Sequence, residues 1–84
     1  MNKKSIIPLY DRKIYWNILK DCAAMFGMSK KDINAQVKKL KSELFNDDLF
    51  YHHEPLYWAA SWAGIDNPDD YHTQYREIQK KYYG

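Results

Sequence analysis

His52, His53 and Glu54 stand side by side, and imidazole and carboxylate groups are side chains that hold zinc. Adjacent residues project in different directions, and no second cluster in the chain supplies matching ligands. Zinc needs three or four converging groups, so the triplet reads as polar loop. Asp66, Asp69 and Asp70 carry the charge of a calcium loop. They lack its central glycine and terminal glutamate, and helix capping accounts for them better. The single cysteine, Cys22, falls on an apolar stripe with no histidine placed to activate it, and reads as a buried, inert thiol. The three glycines, Gly27, Gly64 and Gly84, are too scattered for a phosphate-binding loop. No serine has an evident base. A chain of 84 residues rarely encloses a catalytic pocket of the usual few hundred Å³. The expectation is a protein that is not an enzyme and carries no metal or cofactor.

What remains is the placement of charge. The net charge is only +2, yet residues 1–45 carry +6, residues 46–70 carry −6 and residues 71–84 carry +2. Such polarity steers a partner toward one face and away from another. Five of the eleven lysines, Lys30, Lys31, Lys38, Lys39 and Lys41, fall within twelve residues, with Asn34 among them. Lysine answers a phosphate or a guanine, and asparagine can read adenine.

These side chains need a rigid helix to present them. Between Ser29 and Phe45, Ile33, Val37, Leu40 and Leu44 recur at helical spacing as a one-sided stripe. Ser29 is a suitable N-cap, and Asp32 stands three residues on as a weak capping box. Before it, Asp11 can cap a helix starting at Arg12. Along that helix Tyr15, Leu19, Cys22 and Phe26 form one apolar row and Ile14, Ile18 and Met25 a second. So wide an apolar face suits a central helix, and Gly27 ends it. Residues 46–54 are a connection with a helical turn at 47–51. Pro55 suits a first helical position, and residues 55–63 end at Gly64. Asn67, Pro68, Asp69 and Asp70 open a last helix, whose buried stripe is Tyr71, Tyr75, Ile78 and Tyr82.

Residues 23–50 resemble the helix-turn-helix of winged-helix transcription regulators of the LysR type. The likeness lies in Ala23-Ala24, the turn Phe26-Gly27-Met28-Ser29, then Ile33-Asn34, Val37, Leu40, Leu44 and the closing Leu49-Phe50. It spans 28 of 84 residues, and no hairpin wing follows it: Pro55 and a Trp-rich helix stand there instead. The resemblance implies double-stranded DNA as partner and a role in transcription regulation. The second helix would hide Ile33, Val37, Leu40 and Leu44 and enter the major groove. Lys30, Lys31 and Asn34 would lie near base edges, and Lys38, Lys39 and Lys41 within reach of phosphates.

The alternative is a protein-binding module acting as inhibitor, adaptor or assembly factor. Three Trp, eight Tyr and three Phe exceed what a small core requires. Tyr51, Tyr57, Trp58 and Trp62 would be its anchors, because Trp and Tyr dominate interface hot spots. The acidic stretch 46–70 would form the rim, and the same aromatic surplus leaves room for a homodimer.

The sequence therefore predicts one all-α domain over residues 1–84: a small bundle of about four helices, at 11–26, 29–45, 55–63 and 68–83, with a helix-turn-helix-like pair. Residues 1–8 are expected to be a flexible tail anchored by Ile6 and Ile7. No segment approaches the roughly 20 apolar residues of a membrane span, and a cytoplasmic location, in the protein's own cell or a host's, is expected.

Overall fold

The computed structural model describes residues 9–83 and is all-helical, with no strand among the described residues. Four α-helices follow in order: α1 (Leu9–Met25), α2 (Lys30–Leu44), α3 (Pro55–Ala63) and α4 (His72–Tyr83). Short 3-10 turns, Asp48–His52 and Pro68–Tyr71, precede α3 and α4. The expected tail at residues 1–8, with Ile6 and Ile7, lies outside the described residues.

α1 is the axle. It packs most extensively against α3, then α4, then α2. Residues of both its apolar rows are buried: Ile14, Tyr15, Ile18, Leu19 and Cys22 all lie in the core. Trp16, which belongs to neither row, is buried as well, at 1% exposure. Its ring stacks on Phe50, with centroids 4.9 Å apart, and Phe50 stacks in turn with Trp58 at 5.1 Å. Tyr15 meets both Phe50 and Tyr51 edge-on, so positive ring edges face negative ring faces. This aromatic group fastens the Asp48–His52 turn to the side of α1.

Both predicted glycine stops close their helices in the same way. At the end of α1, Gly27 takes φ +99° and its N–H donates to Ala24 O, while Met28 N–H donates to Ala23 O. At the end of α3, Gly64 takes φ +73°, with Gly64 N–H donating to Ser61 O and Ile65 N–H to Ala60 O. These paired bonds satisfy carbonyls the helix itself leaves open. Ser29 caps α2 by accepting from Asp32 N–H at 3.1 Å.

Two expected helix starts shift. α1 is already under way at Leu9, so Asp11 lies inside it and is not its cap. α4 begins at His72 because Pro68–Tyr71 is wound as a 3-10 turn, and Asn67 precedes that turn without a side-chain capping bond. Asp69 is occupied elsewhere: it accepts from the Tyr57 hydroxyl at 2.8 Å and lies 3.2 Å from His72 Nε2.

Candidate nucleic-acid interface

α2 sits at the edge of the bundle. Only Ile33 of its stripe is fully buried, while Val37, Leu40 and Leu44 are half-covered against the core. With the apolar stripe turned inward, the 100° step of an α-helix divides the remaining residues between two flanks. Lys30, Lys31, Asn34, Lys38 and Lys41 fall on one flank. Asp32, Gln36, Lys39 and Glu43 recur three and four residues apart on the other. Five of the six residues expected to meet DNA thus share a side, and Lys39 stands apart from them.

Lys30, Lys31, Asn34 and Lys38 are exposed, and none pairs with an acid among the described residues. Lys41 is half-buried, its Nζ 5.6 Å from the centroid of the Phe45 ring. Lys30 and Lys31 are the first residues of α2, where backbone N–H groups already carry partial positive charge. An anion arriving there meets two ammonium groups and the positive end of the helix dipole. Asp66, Asp69 and Asp70 belong to the α3–α4 connection, and no ion pair among the described residues joins them to α2.

Open hollows border both flanks. On the lysine flank, Lys41, Ser42 and Phe45 face Lys13 and Asn17 of α1. Further along, Lys30, Ile33 and Asn34 face Lys20, Asp21 and Ala24. These α1 residues were not among those expected to act. Their signal was present in the sequence: 13, 17, 20 and 24 follow helical spacing on the side of α1 opposite its apolar rows. On the other flank, Asp32 and Gln36 face Trp62 and Ala63 of α3 across a groove floored by Phe26 and Met28.

The four aromatic residues of the alternative site do not converge. Tyr51 is buried at 8% exposure, and its hydroxyl donates to Phe45 O at 2.6 Å. Trp58 is half-buried, with its indole N–H donating to Phe50 O at 3.0 Å. Tyr57 is exposed and bonded to Asp69, and Trp62 lines the α2–α3 groove.

His52, His53 and Glu54 border a small hollow with Tyr15, Tyr75 and Gln79. The Tyr15 hydroxyl lies within bonding reach of the carbonyls of Phe50 and His53, and burial raises the phenol well above its ordinary range. No three His, Cys, Asp or Glu side chains come together as a metal site among the described residues. Cys22 is fully buried, and loss of hydration pushes its thiol up to about 12, with nearby Asp21 adding to the effect. No described helix is long and apolar enough to cross a membrane.

No protein-family model matches this chain, and no match was found among curated proteins or solved structures.

Proposed function

We propose that this domain binds double-stranded DNA without catalysis, through the lysine flank of α2. The reading rests on one observation: Lys30, Lys31, Asn34 and Lys38 lie together on an exposed flank, with no acid of the described chain paired to them. A helix that meets DNA hides one face in its own domain and offers another. The four-residue turn from Phe26 to Ser29, with its glycine, is the connection such helix pairs use. Occupying DNA is in keeping with the regulatory role that the LysR-type resemblance implies.

A mobility-shift assay against random duplex DNA, at low and at moderate salt, tests this. The expected result is a shift at low salt that fades steeply as salt rises, and that weakens in Lys31→Ala and Lys38→Ala. Absence of any shift at micromolar protein and low salt removes the proposal.

One observation favours a second reading. Trp62 lies at the surface beside Phe26 and Met28, in an open groove between α2 and α3. A half-exposed indole on the wall of an open groove suits a protein partner, because Trp is enriched among interface anchors. Under that reading Trp62→Ala abolishes binding to the partner and Lys31→Ala does not.

A further inference from the structure

The hollows along α1 and α2 extend the DNA reading and depend on it. We propose that the binding surface is the seam between α1 and α2, and that it grips the sugar–phosphate backbone of duplex DNA without reading its sequence.

The pairing of residues across the seam is the first support. Lys13 and Asn17 of α1 share a hollow with Lys41 of α2, and Lys20 shares the next with Lys30 and Asn34. The start of α1 therefore faces the end of α2, and the later part of α1 faces the start of α2. At 1.5 Å rise per residue, Lys13 and Lys20 lie about 10 Å apart along α1, and Lys30 and Lys41 about 16 Å apart along α2. That is the axial rise of roughly three to five nucleotides of one strand at 3.4 Å each. Lys31 and Lys38 extend the charge outward on the same flank of α2.

The carboxylate that borders the seam is the second. Asp21 lies beside the hollow of Lys20 and Lys30, where a bare negative charge would repel phosphate. It is not bare: Lys81 Nζ lies 2.7 Å from Asp21 Oδ2, and the Tyr82 hydroxyl donates to the same oxygen at 2.7 Å. The end of α4 thus supplies a cation that cancels the acid facing the lysines.

The type of cation is the third. No arginine lines either hollow. The chain has two: Arg12, which donates to Asn46 Oδ1 at 2.9 Å and to Phe45 O at 3.4 Å, and Arg76, on α4. Either cation can meet guanine, but only arginine's rigid planar fork holds two acceptors in a fixed geometry. Lysine is a point charge on a flexible stem and suits phosphate oxygens, which carry no sequence information. A merely solubilising surface would intersperse signs, whereas here Asp32 and Glu43 are confined to the far flank of α2.

The test uses the full chain and two labelled duplexes of unrelated sequence, with anisotropy titrations over a range of salt. Wild-type protein, Lys13→Ala/Lys20→Ala and Lys31→Ala/Lys38→Ala are compared, with circular dichroism confirming the fold of each. We expect equal affinity for the two duplexes. Each double variant should bind more weakly, with its salt slope flattened by about 1.8, or roughly 0.9 for each phosphate no longer neutralised. Lys13→Arg/Lys20→Arg should restore both affinity and slope. If the α2 pair weakens binding while the α1 pair changes neither affinity nor slope, the seam is overturned and the DNA reading stands. A preference above about tenfold for one duplex, in the direction of specific binding, overturns the backbone grip. Failure of the wild type to bind either duplex at low salt overturns both.

Discussion

The indole N–H of Trp16 donates to the hydroxyl of Tyr51 at 3.1 Å, and that hydroxyl donates onward to Phe45 O at 2.6 Å. One phenol oxygen thereby ties α1 to the residue that ends α2, across 35 residues of sequence in one direction and six in the other. Arg12 reaches the same corner, its guanidinium donating to Phe45 O and Asn46 and lying 5.6 Å from the Tyr51 ring. The proposed basic seam is held in register at this end by that corner.

Removing the oxygen tests its weight. Tyr51→Phe keeps the ring contacts with Tyr15 and Phe50 but leaves the Trp16 N–H buried without its acceptor. A buried donor left unsatisfied costs about 1–3 kcal/mol. Urea unfolding should show that loss as a lower midpoint with an unchanged slope. An unchanged midpoint would mean that the corner is held by the packed rings alone.

Gly27 makes a sharper demand on the backbone. Its φ of +99° is a conformation that L side chains rarely adopt, while a Cβ added there meets no atom within 4 Å. Any loss in Gly27→Ala is therefore conformational strain and not a clash, expected at about 1–2 kcal/mol. The α1–α2 turn should survive, so DNA affinity measured on the folded variant should stay within about twofold of wild type, below the tenfold that 1.4 kcal/mol represents.

Lys31 separates stability from binding. A lysine in the first turn of α2 opposes the helix dipole, and a glutamate there would favour it by about 0.3–1 kcal/mol. Lys31→Glu is expected to raise the urea midpoint slightly while abolishing the DNA shift. A variant that loses stability together with binding would mark Lys31 as a packing residue.

Alkaline pH should unfold the domain. Burial is the main reason that Tyr15, Tyr75 and Cys22 are raised, the thiol from 9.0 to about 12 and the two phenols well above 10.0. Between those ordinary values and the raised ones, the unfolded chain has lost protons that the folded chain still holds. Stability is therefore fully present below pH 9.0 and falls as pH rises through this window, by about 1.4 kcal/mol per pH unit for each such group. Helical circular dichroism should fall in a transition that begins above pH 10.0, and a late step in tyrosinate absorbance, from the buried phenols, should coincide with it. Thiol alkylation of Cys22 should accelerate only with that transition. Rapid alkylation of the native protein near neutral pH would contradict the burial of Cys22.

How much of this was written in the sequence varies by residue. Gly27, Ser29, Pro55 and Gly64 marked helix ends to within a residue, because capping and left-handed turns depend on neighbours only a few positions away. The stripe Ile33–Val37–Leu40–Leu44 fixed which side of α2 turns inward for the same reason. The starts of α1 and α4 were less legible. Asp11 and Asn67 are acceptable caps in isolation, yet α1 extends back to Leu9, and Pro68–Tyr71 winds as a 3-10 turn beside Tyr57 and Phe26.

The sequence by itself determined four helices, their apolar faces and a cluster of lysines on the second of them. Local spacing suffices for that, since each helix is a periodic object whose faces follow from its own residues. Only the tertiary structure decided that Trp16 would be walled in by Phe50 and Tyr51, that Tyr51 would serve the core and not a surface, and that Lys13 and Lys20 would line a seam with Lys30 and Lys41. Those outcomes depend on how helices far apart in the chain settle against α1. Long-range packing sets them, and no periodicity within one helix records the azimuth at which another will come to rest.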